Sequence, residues 1–259
     1  MTGIERIQQA FGQGHPAFMP YSVLGYPNRQ ASLDVVKSLV EAGADLLELG
    51  VPFSDPLADG PTIQAATQKS LENGTTLKDC LAMTSELRQQ GCDTPAVMMG
   101  YINPMLAYGL EQFVADAVTA GVDGFIVPDL PPEEAAELEA LCEQHQLALI
   151  YLLAPTSTAE RIKLVAEKSK GFIYLVSLTG VTGARNELSS GLDQFVARVR
   201  DVTSLPLAVG FGIGNGVQAQ MVGRLADGVI VGSALVKRAG ESSEAVRLLA
   251  DELRHALNN

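Results

Sequence analysis

Short apolar runs alternate with amphipathic stretches along the whole of this chain, and that alternation leaves few folds open. The runs are Phe18–Leu24, Asp45–Leu49, Ala96–Tyr101, Gly124–Val127, Leu147–Leu153, Gly171–Val176, Leu207–Val209 and Gly228–Val231. Most are continuously apolar, as strands are when helices cover both faces of a parallel sheet. Pro20 has no N–H to give to a ladder and is expected to weaken the first strand. Between the runs lie helical patterns; Leu33, Val36 and Val40, for example, share one face. Eight strand–helix units in 259 residues predict an α/β fold, a single (β/α)8 TIM barrel spanning residues 1–259. A doubly wound open sheet is the alternative. Such a sheet usually carries a Gly-rich loop after its first strand, and Leu24-Gly25-Tyr26-Pro27-Asn28 is not one. Thr2 and Glu5 fit a capping box, so an extra N-terminal helix is expected before the first strand.

A small motif recurs where helices give way to strands: Glu41-Ala42-Gly43-Ala44-Asp45 and Thr119-Ala120-Gly121-Val122-Asp123, with Leu225-Ala226-Asp227-Gly228 a weaker echo. Gly43 and Gly121 are candidate helix C-caps.

The formal net charge of −12 argues against nucleic acid or an anionic membrane as a partner. Cys80, Cys92 and Cys142 are scattered and odd in number, so no disulfide framework is expected. His15, His145 and His255 do not cluster, and no metal-ligand spacing is visible. Met1–Ala10 makes a poor signal peptide, and no apolar run reaches transmembrane length. A cytoplasmic setting is expected.

In a barrel the segments that follow strands form the catalytic face. Glu48 stands near the end of the second strand, between Leu47 and Leu49, and Asp59 closes the proline-rich loop after it. Desolvation would raise the Glu48 carboxyl and suit it to proton transfer near neutral pH. The plainer readings are a solvated or ion-paired strand end for Glu48 and a turn dipeptide for Asp59-Gly60. Three glycine-bearing segments follow the last three strands: Gly180-Val181-Thr182-Gly183, Gly210-Phe211-Gly212-Ile213-Gly214 and Gly232-Ser233. Together they suggest a phosphate cradle built from amides and a hydroxyl. Every lysine reads as helical or as preceding a strand, so a Schiff base inside the barrel is not expected. Proton transfer on a substrate that supplies its own electron sink is the chemistry left.

With these residues in view, the chain resembles the tryptophan synthase alpha subunit family along nearly its whole length. The segments that carry the likeness are Leu47–Pro61, Val127-Pro128-Asp129-Leu130-Pro131, Gly180–Gly183, Gly210–Ile213 and Gly232-Ser233. The resemblance implies retro-aldol cleavage of indole-3-glycerol phosphate to indole and glyceraldehyde 3-phosphate. It also implies transfer of indole to a beta subunit within an alpha2beta2 complex, without cofactor or metal. Carried over, Glu48 matches the catalytic acid/base and Asp59 its partner at the indole nitrogen. Tyr174 matches an active-site tyrosine, and Thr182 and Gly183 lie in the family's mobile loop. Phe211 lines the pocket near the indole ring, and Gly212, Gly232 and Ser233 match the phosphate site.

The stretch Ser177–Glu187 is long, polar and glycine-bearing, which suits a lid or equally a plain surface loop; Arg185 within it could attract phosphate or simply be solvated. By resemblance, Pro52, Asp55 and the loop Tyr101-Ile102-Asn103-Pro104-Met105-Leu106 are candidate beta-subunit contacts. Packing beneath the next helix is an equal reading for Met105 and Leu106, while Met98 and Met99 read as core. Competing functions are a stand-alone lyase, a non-catalytic ligand-binding activator of a partner enzyme, and a generic phosphosugar isomerase barrel.

Overall fold

The first helix forms where its capping box predicts. In the computed structural model, which describes residues 1–176, 187–210 and 212–259, helix α1 (Gly3–Ala10) starts at Thr2. The Thr2 side chain accepts from Glu5 N–H, and the Glu5 carboxylate accepts from Thr2 N–H. Ile7 and Ala10 are buried among residues of the barrel interior, so α1 stoppers the N-terminal end.

Nine parallel strands are present among the described residues: β1 (Ala17–Val23), β2 (Leu47–Gly50), β3 (Ala96–Met99), β4 (Gly124–Ile126), β5 (Ala148–Ile150), β6 (Leu152–Leu153), β7 (Ile173–Val176), β8 (Leu207–Gly210) and β9 (Gly228–Val231). Their order is β5-β4-β3-β2-β1-β9-β8-β7-β6. The predicted fifth strand is therefore divided at Tyr151. Its first half pairs with β4 and its second with β7, so one broken strand closes the barrel. Tyr151 turns outward at the break, and its hydroxyl donates to Glu139 Oε1 at 2.6 Å. Pro20 is accommodated inside β1 because the β1–β2 ladder begins only at Tyr21, beyond the missing N–H.

Alternation sorts the strand residues into two cores. Met19, Leu46, Val97, Ile126, Ile150 and Ile230 fill the barrel, while Phe18, Leu47, Leu49, Met98 and Phe125 pack under the helices. Helix α2 (Arg29–Glu41) is capped by Asn28 and buries Leu33, Val35, Val36 and Leu39; of the predicted face, Val40 is only partly buried. Helix α3 (Pro61–Glu72) opens with proline at its first position, where no N–H is needed. Helix α4 (Leu77–Gln89) has a second capping box, Thr76 with Asp79. The chain ends in α12 (Ser243–Leu257), whose buried Val246, Ala250, Leu253 and Leu257 form one stripe. Each such buried Val or Leu contributes about 1.5–3 kcal/mol. No described helix is long and apolar enough to cross a membrane.

The repeated junction motif has a shared structural role at the N-terminal rim. Gly121 caps its helix in the left-handed region, at φ +82°, and Gly43 takes φ +87°. The aspartate that follows each junction accepts an N–H at the start of the neighbouring strand. Asp45 takes Phe18 N–H at 2.7 Å, Asp123 takes Ala96 N–H at 2.8 Å, and Asp227 takes Leu207 N–H at 2.7 Å. Each also meets arginine: Arg254 for Asp45, Arg6 and Arg88 for Asp123, and Arg200 for Asp227.

Candidate active site

Residue parity places Glu48 inside the barrel. Leu47 and Leu49 face the helices, so Glu48 must point inward, opposite Tyr21 on β1 and Val97 on β3. It is 1% exposed, and its Oε2 has no hydrogen-bond partner. Burial, reinforced by the negative charge of Asp59, pushes its pKa up to about 8. An acid so placed keeps its proton at neutral pH and is ready to give it away.

Asp59 closes the loop after β2, its N–H donating to Pro56 O at 3.0 Å. Its carboxylate accepts from the Tyr101 hydroxyl at 3.0 Å. Burial holds the Asp59 carboxyl above its ordinary pKa, and the Tyr101 hydrogen bond offsets part of that rise. Asp55 is different: exposed, with Ser54 Oγ donating to it at 2.6 Å, it belongs to a local turn.

Both acids line one cavity of about 410 Å³ at the C-terminal mouth of the barrel. Tyr174 reaches it from β7 and Tyr21 from β1. Glycine on the adjoining strand makes room for each phenol. A Cβ at Gly50 would stand 2.2 Å from the Tyr21 hydroxyl, and one at Gly210 would stand 2.3 Å from that of Tyr174. Burial and the neighbouring carboxylates hold both phenols well above their ordinary pKa, so they remain neutral donors.

The opposite wall is made by the predicted cradle. Gly212, Ile213 and Gly214 follow β8, and Gly232, Ser233 and Ala234 follow β9. Gly212 needs its missing side chain, at φ +79°. Gly232 precedes the short helix α11 (Ser233–Ala239), which has no side-chain cap, leaving its first amides free for an anion. No Lys, Arg or His is among the described residues lining the cavity, and the lysines all lie on helices or ahead of β7.

Of the predicted site residues, Glu48, Asp59, Tyr174, Gly212, Gly232 and Ser233 thus meet at one cavity. Thr182, Gly183 and Phe211 lie outside the described residues, as do Arg185 and most of the expected lid. Tyr21 was not anticipated; only its inward parity beside Glu48 could have revealed it. Met99 also lines the cavity, whereas Met98 is core as expected. Tyr101 is 4% exposed and Met105 1%, so these two pack within the chain, while Leu106 is 53% exposed.

A sequence profile of the family described as Tryptophan synthase alpha chain matches residues 7–258. A Roseiflexus sp. (strain RS-1) protein named Tryptophan synthase alpha chain is 53% identical over 237 residues, covering 90% of this chain and 91% of the relative. Among solved structures, tryptophan synthase subunit alpha from Legionella pneumophila is 36% identical with a TM-score of 0.91, covering 100% of this chain and 99% of that one. A chain of tryptophan synthase from M. tuberculosis, in an aminoacrylate-bound form, is 38% identical with a TM-score of 0.89, covering 99% and 100%.

Proposed function

The chain belongs to the tryptophan synthase alpha chain family, and from that premise we propose how its barrel mouth carries out the family's reaction. As a member it is a carbon–carbon lyase of tryptophan biosynthesis, with a beta subunit as its partner. The substrate is indole-3-glycerol phosphate and the products are indole and glyceraldehyde 3-phosphate. The observation that carries the site assignment is a buried glutamic acid with an unpartnered oxygen, sharing a cavity with a second carboxylate.

Glu48 gives its proton to ring carbon C3, which leaves the indole as an iminium-like ring. The Glu48 carboxylate then takes the proton of the hydroxyl on the attached side-chain carbon. As that oxygen forms its carbonyl, the carbon–carbon bond breaks and its electron pair neutralises the ring. Glu48 ends protonated, as it began, which suits an acid whose pKa is about 8. Asp59 stabilises the positive charge that grows at the ring nitrogen. Tyr174 offers a neutral phenol to the glyceryl hydroxyls, and Gly212, Gly232 and Ser233 hold the phosphate by amides and a hydroxyl. Thr182 and Gly183 serve the lid, and Phe211 walls the ring.

Residues 1–259 form one barrel domain, which works in a cytoplasmic alpha2beta2 complex and passes indole to the beta subunit. Leu57, 89% exposed, lies on the loop after β2, and Leu106, 53% exposed, lies on the helix that follows Tyr101, whose hydroxyl that loop meets; this surface suits that partner. The test is indole release from indole-3-glycerol phosphate, followed by absorbance, with and without beta subunit. The parent should turn over and be strongly activated by the partner. Glu48→Gln should be inactive yet still bind glycerol phosphate. High activity alone would instead mark a free lyase, and retained turnover by Glu48→Gln would refute the acid/base assignment.

A further inference from the structure

Tyr101 sits between two polar groups that together dictate where its single hydroxyl hydrogen goes. Ala58 N–H can only donate, and it does so to the Tyr101 oxygen at 3.0 Å. The phenol hydrogen is thereby directed at Asp59 Oδ2, at 3.0 Å. A proton on that carboxyl oxygen would confront the phenol hydrogen, so the arrangement favours the ionised form. The phenol itself is fixed. Its ring is buried and packs on Phe53 with centroids 5.2 Å apart. Its backbone precedes helix α5 (Ile102–Tyr108), whose first N–H donates to Asp129 Oδ1 at 3.0 Å. The loops after β2, β3 and β4 are thus tied together through Tyr101 and Ile102, and the Tyr101 hydroxyl ends on Asp59.

We propose that Tyr101 is the positioning residue of this site: it holds Asp59 as an ionised, correctly aimed carboxylate before substrate arrives. The inference rests on the reading of Asp59 given above and deepens it. It also explains how two neighbouring acids, one buried and one half-buried, divide their roles. Glu48 has no donor at Oε2 and stays protonated, while Asp59 has a dedicated donor and carries the charge. The groups facing Asp59 are Glu48 from β2, Tyr21 from β1, Tyr174 from β7 and Tyr101 at the start of α5. No cation among the described cavity residues shares the work of Tyr101.

The experiment is Tyr101→Phe, which keeps the ring on Phe53 and removes only the hydroxyl, assayed with the beta subunit present. A hydrogen bond to a charged group predicts a roughly 10- to 100-fold loss of kcat, with KM changed by less than about twofold. Losing the donor raises the Asp59 pKa, so the acid limb of kcat/KM must move to higher pH. Replacing Tyr101 with 3-fluorotyrosine, a stronger donor of nearly the same shape, must move that limb to lower pH; this variant decides the matter if Tyr101→Phe folds poorly. In an Asp59→Asn background, Tyr101→Phe should cost nothing further. An unmoved acid limb in both variants, or equal losses in both backgrounds, overturns the proposal. Undiminished turnover by Asp59→Asn alone would instead overturn the role given to Asp59.

Discussion

Asp123, just before β4, and Glu48, on β2, are both buried acids, at opposite ends of the barrel and with opposite surroundings. Asp123, at the N-terminal rim, accepts an amide hydrogen and meets two arginines. Glu48, at the C-terminal mouth, faces a cavity with one oxygen unpartnered and a second acid nearby. A buried charge is tolerated when its hydrogen bonds are met, and an acid left without partners keeps its proton instead. The rim therefore spends its carboxylates on holding strands and helices together. The mouth keeps one acid uncompensated, at a cost in stability that proton transfer requires.

The comparison can be broken most sharply at Glu48 itself. Glu48→Gln should lower indole formation by about a thousandfold. The melting temperature should stay level or rise, because a buried ionisable group is removed. A marked loss of stability would mean that Glu48 has a structural partner after all. The mirror-image change is Asp123→Ala. It takes the shared carboxylate from the half-buried Arg6 and Arg88 and the acceptor from Ala96 N–H, and should cost about 1.5–3 kcal/mol in denaturant unfolding. Turnover per folded molecule should change little, and a proportionate loss of kcat would erase the division between the two ends.

Smaller changes refine the picture. Gly50→Ala puts a methyl group 2.2 Å from the Tyr21 hydroxyl. That overpacking should cost about 1–3 kcal/mol and raise KM as the phenol swings into the cavity. An unaltered KM would show that substrate does not use that wall. A further effect is a slope with pH. Unfolded, Glu48 ionises near its ordinary value of 4.5; folded, it holds its proton to about 8. Its favourable contribution is complete below the lower value and disappears as pH rises through the upper one. Relative to Glu48→Gln, the parent should lose up to about 1.4 kcal/mol per pH unit between those limits. A flat difference would mean that Glu48 is ionised in the folded protein. The same titration should lower kcat above about pH 8, as the acid form is lost.

Much of this was legible along the chain because the signals are local. Apolar runs, helix periodicity and the Thr2–Glu5 cap depend on neighbours a few residues apart; the cap formed as predicted, and each run holds a strand, the fifth in two pieces. Glu48 stood out because a carboxylate between two leucines is anomalous at short range. The break at Tyr151 was not legible, since an apolar run carries no mark of where its pairing partner changes. Tyr101 was read as a partner contact from its loop; its bond to Asp59 spans 42 residues of sequence.

The aspartate motif shows where the boundary falls. The repeat placed Asp45, Asp123 and Asp227 at helix-to-strand junctions, since helix ends and strand starts recur at short range, but it marked only the glycines Gly43 and Gly121 as caps. Which arginine answers each one was decided only by folding, as Arg254 lies 209 residues from Asp45. The same holds at the mouth. Residue type and local pattern determined the barrel, the candidate acids and the glycine turns. Tertiary structure decided which side chains surround each acid, and therefore which keeps its proton, because desolvation and hydrogen bonding depend on neighbours in space rather than in sequence.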